Sequence, residues 1–511
     1  MAPKEVEIKL EVEPSALSRL AHIPLVQGCA ARHTQEVSVY FDTDEQSVRN
    51  AGLTLRVRRI GDRHIQTIKS TANGNLFERD EWESEIEGGV PDLRMARDTA
   101  LGPLIRDRFG RRLRPVFETR VRRSVYPLVD DKRAIALTVD QGDIAAGDRS
   151  EPLCEIELEL ERGEPTELFE VARTLARALP VQLALKSKSQ RGYELLDDKP
   201  PVAVKAVAAK LTAGMTACDG FAAIGRAGLK QIVANVPALQ RGDPEGVHQM
   251  RIGLRRLRAA MALFRDLLGD KQTTAIKAEL KWLTGELAAA RDLEVLIKNV
   301  VAPLKDRPIP LDGMSRLSRE LSEKRAVALE RAQAAVDSAR FRALALEVAA
   351  WLETGRWTDP RSERVRALGD APVEQVAVAE LKRRRKKIRK GGKALDRLDA
   401  ASRHRLRIQA KKVRYATEFF APLFPGKRAS KRRKKFLLAL QALQDSLGDL
   451  HDIVVHEDLM RAMRRERSPS GARRAFAAGL LTGREDARSD FVLAAAIAAY
   501  GDVAKAKPFW R

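Results

Sequence analysis

Glu5, Glu7 and Lys9 alternate with Val6 and Ile8 near the start of the chain. Period two puts the three charged residues on one face of a β-strand, ~7 Å apart. Two carboxylates and an ammonium at that spacing can hold a hard cation beside a phosphate group. The same pattern also describes an amphipathic strand whose charges face water. Other segments keep their charges in phase: Arg56 with Arg58, Thr67 with Lys69, Arg79 with Glu81, and Glu155 with Glu157 and Glu159. Arg and Lys neutralise phosphate oxygens, Arg bidentately, and carboxylates hold Mg²⁺ or Mn²⁺. Phosphoryl transfer rests on position and charge, so it requires no Ser or Cys nucleophile. No nucleophile–His constellation occurs in this half, and His22, His33 and His64 read as surface or turn residues.

A second group of chemistry-bearing residues lies far downstream. His248, Arg251, Arg255 and Arg258 recur as His404, Arg407, Lys411 and Arg414 with identical spacing. Phe264 and Phe420 close the two copies at the same offset from the His. A Leu-x-x-x-Leu run follows each, ending at Arg291-Asp292 and at His451-Asp452. On a helix, positions i, i+3, i+7 and i+10 fall within about a quarter of the circumference. Each copy is therefore a basic stripe led by His. Stacked like charges repel, which suits a site that receives an anion; a solvated basic face is the alternative. Histidines titrate near neutrality, which predicts anion affinity rising as pH falls from about 8 to 6. The basic run 382–390 reads equally well as an accessory polyanion contact or a solvated helical face.

The elements that must carry these residues change character at Leu195–Pro201, an acidic stretch closed by two prolines. Before it, alternation predicts strands near 36–42, 53–60, 64–70, 77–87, 116–126, 134–140 and 153–160. Helical patterns sit near 14–21, 93–107 and 166–178. After it, from about 203, the period becomes that of a helix to the end of the chain. Breaks fall near 235–245, 306–311, 353–373, 424–430 and 467–471. The 511 residues thus divide into 1–198 and 203–508. Charge divides the same way: 31 basic against 35 acidic residues in 1–200, and 62 against 35 in the rest, a net of +27. The second part is a polycation whose expected partners are polyanions. Tyr and Trp are too scarce there for a stacking surface, so nucleic acid is the weaker expectation. Three scattered cysteines fit a reducing compartment. With no basic-then-apolar leader and no long apolar run, a cytoplasmic protein without a membrane span is expected.

At this point the first part becomes recognisable. It resembles the CYTH family of triphosphate tunnel enzymes through Glu5-x-Glu7-x-Lys9, Tyr40-Phe41-Asp42-Thr43, Leu55-Arg56-Val57-Arg58, Thr67-Ile68-Lys69, Leu137-Thr138-Val139-Asp140, Glu155-Ile156-Glu157-Leu158-Glu159 and Ser187-Lys188. Asp140-Gln141-Gly142 and Ser187-Lys188-x-x-Arg191-Gly192-Tyr193 look most like its inorganic triphosphatase branch. The resemblance implies an α+β chain opening on an eight-stranded antiparallel β tunnel with flanking helices, binding a triphosphate and two divalent ions, Mg²⁺ or Mn²⁺. Glu5, Glu7, Asp140, Glu155, Glu157 and Glu159 are the implied metal candidates. Lys9, Arg56, Arg58, Lys69, Arg123 and Lys188 are the phosphate contacts, with Lys9 also orienting the attacking water; Glu5, Glu7 and Lys9 are the catalytic set. In Thr119-Arg120-Val121-Arg122-Arg123, phase with Thr119 favours Arg123 in the tunnel, whereas Arg120 needs the opposite register.

The two His-led motifs resemble the CHAD domain, an all-α module of two repeated helical bundles with His and basic residues lining a channel. That implies inorganic polyphosphate as ligand, held without chemistry by His248, Arg251, Arg255, Arg258, His404, Arg407, Lys411 and Arg414. The combined expectation is metal-dependent hydrolysis of inorganic triphosphate with polyphosphate binding alongside. The alternatives are another triphosphate-directed activity, such as an adenylate cyclase or thiamine triphosphatase, and a non-enzymatic binder of polyphosphate or storage granules.

Overall fold

Among the described residues, alternating apolar and charged residues build nine strands: β1 (Lys4–Glu11), β2 (Arg32–Asp42), β3 (Leu53–Ile60), β4 (Arg63–Ser70), β5 (Glu78–Ile86), β6 (Arg114–Val129), β7 (Ala134–Ala146), β8 (Arg149–Arg162) and β9 (Gln182–Ala184). The computed structural model describes residues 4–70, 76–105, 109–198, 202–298, 311–358, 362–465 and 471–510. Strand order is β5-β4-β3-β2-β6-β7-β8-β1-β9, and β1 also pairs with β5, so β1 to β8 close into an antiparallel barrel. Closure is short: Lys4, Glu5 and Val6 face Asp80, Arg79 and Glu78. The remainder of β1 pairs with β8, placing Glu7 opposite Glu159 and Lys9 opposite Glu157. The eight-stranded antiparallel tunnel expected from the sequence is thus present.

Closure sends the two faces of every strand to different solvents. Leu53, Leu55, Val57 and Ile68 point outward into a core with Phe41 and with Val48 of α1 (Ser47–Asn50). Ile8, Leu10, Ile156 and Leu158 are buried beside α2 (Pro165–Ala178), which packs on β1 and β8 through its apolar face of Leu168, Phe169, Val171, Ala172 and Leu175. Each such fully buried Leu or Phe contributes roughly 1.5–3 kcal/mol. The charged faces are left inside.

The helix α3 (Lys188–Leu196) packs on β6, β7 and β8. Ser187 begins this helix with a capping box, its hydroxyl accepting from Gln190 N while its own N–H donates to the Gln190 side chain. Gly192 lies flat on Phe117, where a Cβ would sit 2.2 Å from the ring. Tyr193 packs on Phe117 and donates its hydroxyl to Asp42 at 2.6 Å. Asp42 also accepts the N–H groups of Thr43, Val48 and Arg49, so this buried carboxylate fastens α1 and α3 to the end of β2.

One helix expected in this part, over 93–107, does not form among the described residues. Residues 93–101 form turns rather than a helix, followed by a 3₁₀ turn at Gly102–Leu104. Asp92 takes the Arg94 N–H, the Thr99 hydroxyl returns to the Ala96 carbonyl, and Pro103 denies a further N–H, so local bonds replace helical ones. The 14–21 segment is a 3₁₀ helix, Pro14–His22.

Two compact units emerge. The barrel unit takes in residues 1–204 together with 229–241 and 336–355. The helix Ala339–Thr354 thereby belongs to it and packs on α2, where Arg173 makes a two-pronged ion pair with Glu347 at 2.6 and 3.0 Å. The other unit holds residues 205–228, 242–335 and 356–511 and is largely helical. Its helices of interest are α4 (Pro244–Leu263), α5 (Ala288–Leu296), α6 (Val373–Gly391), α7 (Ala400–Phe419) and α8 (Lys427–Arg465). Asp243 and Asp399 cap α4 and α7 through their side chains. Residues 202–212 are not helical, contrary to the pattern expected from 203. Within 235–245 and 353–373, expected as breaks, short helices Val236–Gln240 and Glu363–Asp370 form. The breaks at 306–311 and 467–471 lie almost wholly outside the described residues.

Candidate functional site

Inside the barrel the charged faces meet in one continuous network. Lys9 donates to Glu7 at 2.8 Å and to Glu157. Glu7 also faces Arg79 at 3.3 Å. Arg123 grips Asp140 bidentately at 2.8 and 2.6 Å and reaches Glu157 at 3.2 Å and Glu36 at 3.6 Å. Lys188, at the start of α3, binds Asp140 at 2.7 Å, Glu157 at 3.0 Å and Glu155. Arg58 bridges Glu83 at 3.0 Å and Glu36 at 3.7 Å. Arg56 lies 3.9 Å from both Glu81 and Glu83. Lys69 joins Glu81 at 3.0 Å to Glu5 at 2.7 Å. Glu159 stands beside them at the mouth. Arg120 and Arg122 face away, onto Glu118 and Gln141.

Burial and charge together set the protonation states. Burial alone raises the carboxyl of Glu7, but Lys9, Lys69 and Arg79 outweigh it and hold it at about 2. Burial likewise opposes ionisation of Asp140 and Glu157, yet Lys188 and Arg123 keep both below the usual range, with Lys9 adding to the effect at Glu157. Glu155 goes the other way, raised by burial and by Glu157. Glu81 and Glu159 are pushed up to about 7, by burial and by nearby Glu5.

Counted over described residues, the tunnel carries seven cations (Lys9, Arg56, Arg58, Lys69, Arg79, Arg123, Lys188) and nine carboxylates (Glu5, Glu7, Glu36, Glu81, Glu83, Asp140, Glu155, Glu157, Glu159). Of the six sequence-derived metal candidates, Asp140, Glu155 and Glu157 come together, with one oxygen from each inside a 4.8 Å span. Glu5 and Glu159 gather instead near Lys69, towards the mouth, and Glu7 sits between the groups. Glu7 Oε1 is buried and accepts no hydrogen bond. Three hard oxygen donors so close, two of them held ionised, fit a hard divalent cation.

In the helical unit the two stripes face each other. Phe264 and Phe420, ending α4 and α7, are in edge contact, and Arg256 of α4 pairs with Glu418 of α7 at 3.3 Å. Arg251 reaches Asp292 of α5 at 3.5 Å, and its repeat counterpart Arg407 reaches Asp452 of α8 at 4.0 Å. The two copies are therefore equivalent in space as well as in sequence. Arg251, Arg255, Arg407 and Lys411 lie within one another's fields: burial, then Arg407 and Arg255, drive Lys411 down to about 7. His404 packs on His451 with ring centres 4.3 Å apart. Three buried nitrogens here, His404 Nδ1, Arg255 Nε and Arg407 Nε, have no hydrogen-bond partner among the described residues. Arg258 and Arg414 leave the group, bonding Thr284 and Glu418 respectively.

A CYTH domain model matches residues 3–193, and a CHAD domain model matches residues 223–461. The chain carries a CYTH domain and a CHAD domain. A Haemophilus influenzae protein described as inorganic triphosphatase is 26% identical over 200 residues, 38% of this chain and 55% of that protein. The chain thus spans about half the length of this curated relative. The crystal structure of the CHAD domain from the plant Ricinus communis is similar at 29% identity and a TM-score of 0.50, covering 59% of this chain and 96% of that one.

The CYTH tunnel holds four residues outside the sequence-derived set: Glu36, Arg79, Glu81 and Glu83. Their signal was strand phase, since Arg79, Glu81 and Glu83 alternate in β5 and Glu36 shares a face with Ser38 and Tyr40 in β2. In the CHAD domain the additions are His451, Asp292 and Asp452. Against the expectation that the histidines titrate near neutrality, their surroundings shift them downward. Burial and surrounding arginines push His248 and His404 down, and His451 to about 4, because each sits in a field of like charge. Among described residues no helix is long and apolar enough to cross a membrane.

Proposed function

We propose that the CYTH domain hydrolyses inorganic triphosphate to pyrophosphate and phosphate with Mg²⁺ or Mn²⁺, and that the CHAD domain binds inorganic polyphosphate. The charge balance of the tunnel carries the first half. Seven cations arranged around the tunnel suit phosphate oxygens, yet nine carboxylates, with Glu81 and Glu159 part-protonated near neutral pH and Glu155 raised, bring its balance to zero or slightly below, which does not attract a polyanion. Divalent cations turn that balance positive, so the donor set calls for both ligands together. Bound there, such a cation neutralises phosphate oxygens and lowers the pKa of a water.

Asp140, Glu155 and Glu157 would hold one cation, and Glu5, Glu7 and Glu159 are the remaining donors. Arg123 and Lys188 then exchange carboxylate partners for phosphate oxygens, and Arg56 and Arg58 clamp the other phosphates from β3. Arg123 is the natural bidentate contact because its guanidinium already presents Nε and Nη2 in parallel. Lys9, tied between Glu7 and Glu157, directs an N–H towards the attacking water. Glu81 lies beside Lys69 and Arg56, where loss of its proton on phosphate departure is balanced by cations. Phosphoryl transfer of this kind needs no covalent intermediate.

Two partnerless buried guanidinium nitrogens among facing cations, Arg255 Nε and Arg407 Nε, carry the second half: they are donors without an acceptor among the described residues, which phosphate oxygens supply. The deciding experiment measures phosphate release from triphosphate, ATP, thiamine triphosphate and long-chain polyphosphate, with Mg²⁺ and with Mn²⁺. Triphosphate is expected to be turned over fastest and ATP much more slowly. Faster ATP turnover, or formation of cyclic AMP, overturns the assignment.

A further inference from the structure

The basic run of α6 is not a uniform charged face. Glu380, Arg383, Arg384 and Lys387 occupy positions i, i+3, i+4 and i+7, one stripe along the helix. Arg383 donates to both oxygens of Glu380 at 2.7 and 2.6 Å. Arg384, only 5% exposed, donates to Glu380 at 3.0 Å and to the Ala262 carbonyl at 2.9 Å. That carbonyl lies at the C-terminal end of α4, where the helix dipole favours a cation. The single carboxylate is therefore fully used in holding α6 to α4.

Three further cations gather at this seam without any carboxylate. Lys412 of α7 is half-buried, and burial together with Arg384, Lys387, Arg258 and Arg383 holds its ammonium below the usual range. Arg258 of α4 makes only a 3.4 Å bond to the Thr284 hydroxyl. Among the described residues, none of Arg258, Lys387 and Lys412 is ion-paired. Five cations thus gather around Glu380, with Asp266 a further carboxylate in the field of Arg383. A solvated face would let each charge reach bulk water, as long basic side chains ordinarily do. Here Arg384 is buried and Lys412 half-buried, so water screens their repulsion only in part and an arriving anion relieves it.

The position of the seam identifies the anion. Arg258 is the last member of the α4 stripe, ~10 Å beyond Arg251 along the helix. A linear polyanion held at Arg251 and Arg255 and continuing along α4 reaches Arg258, and with it Lys412 and Lys387. We infer that Arg258, Lys387 and Lys412 form a second anion-binding surface, which takes the continuing phosphates of a polyphosphate chain leaving the His-led site. This rests on the reading of that site as a polyphosphate site. It assigns α6 a selective role: the Lys387 side binds, whereas Lys382 and Lys386, on the opposite side of α6, do not.

The test uses the full chain in EDTA, so that nothing is hydrolysed, with long-chain polyphosphate and tripolyphosphate as probes. K387A/K412A is compared with K382A/K386A, which removes the same charge from the other face. Long-chain affinity should fall on the order of ten-fold in K387A/K412A, with a shallower salt dependence, by analogy with counterion release from nucleic acid. K382A/K386A should match the wild type, and tripolyphosphate, too short to reach the seam, should bind all three proteins alike. If K412A disturbs folding, K387A/K412Q replaces it. Equal losses in the two double variants, or none in K387A/K412A, overturn the second surface. So does loss of oligonucleotide binding with polyphosphate affinity intact, which makes the seam a nucleic-acid contact. A wild-type chain that binds no polyphosphate at all refutes the underlying reading instead.

Discussion

Glu7→Gln separates the electrostatic role of a tunnel carboxylate from its shape. Glu7 is 5% exposed, accepts from Lys9 at 2.8 Å and lies 3.3 Å from Arg79. Its carboxyl is held at about 2 against an ordinary 4.5. At ~1.4 kcal/mol per unit, the folded surroundings favour the charged form by ~3 kcal/mol. Gln keeps the volume and one acceptor but loses the charge, so Lys9 retains Glu157 while Arg79 loses its ion pair. The barrel should be destabilised by ~2–3 kcal/mol at pH 7, read by urea denaturation. Triphosphate turnover should fall close to background, because a hard cation loses an ionised donor and Lys9 loses one of its two anchors. The sign of the pH dependence follows from the depressed folded value. The contribution is complete above the unfolded value of 4.5 and is lost as pH falls through the window down to about 2. Wild-type and variant stabilities should therefore converge in acid. Unchanged turnover at saturating metal would remove Glu7 from the site, and a stability gap that persists at the acid end would show that the loss is not electrostatic.

Other perturbations test the packing and the second domain. Gly192→Ala forces a Cβ to within 2.2 Å of the Phe117 ring, so α3 must shift and carry Lys188 with it; a loss of roughly 1–3 kcal/mol in thermal or urea unfolding and reduced turnover are expected. Tyr193→Phe leaves buried Asp42 with three backbone donors in place of four and should cost about 1.5–3 kcal/mol in the same assay. Polyphosphate affinity, followed by calorimetry, should be level below pH 7 and fall by up to about ten-fold per pH unit above it. The cause is Lys411, held down at about 7 in the free chain and recharged by a bound polyanion. Lys411→Met should abolish that slope, and a rise tracking histidine protonation would contradict it.

Periodicity alone identifies the strands and states which residues share a face, because side-chain direction along a strand is set by the backbone. The predicted segment 53–60 coincides with β3, and Arg56 and Arg58 do lie together. The same local rule separates Arg123 from Arg120. Helical spacing likewise places His404, Arg407 and Lys411 on one stripe. Nothing local states which face of a strand is inside. That was decided when Lys4, Glu5 and Val6 paired with β5 and closed the sheet, turning apolar faces towards helices and charged faces inward. Closure also recruited Glu36 and Glu83, residues whose own segments carry no distinguishing motif. In the helical domain, only packing turned the ends of Arg258 and Arg414 to Thr284 and Glu418 and brought Arg251, Arg255, Arg407 and Lys411 together. Protonation followed from the same step: His451 drops and Lys411 falls to about 7 because burial and like charge act through space between residues far apart in the chain. Local backbone geometry is written residue by residue, whereas a tunnel, a seam or a shifted pKa exists only once distant segments share a dielectric.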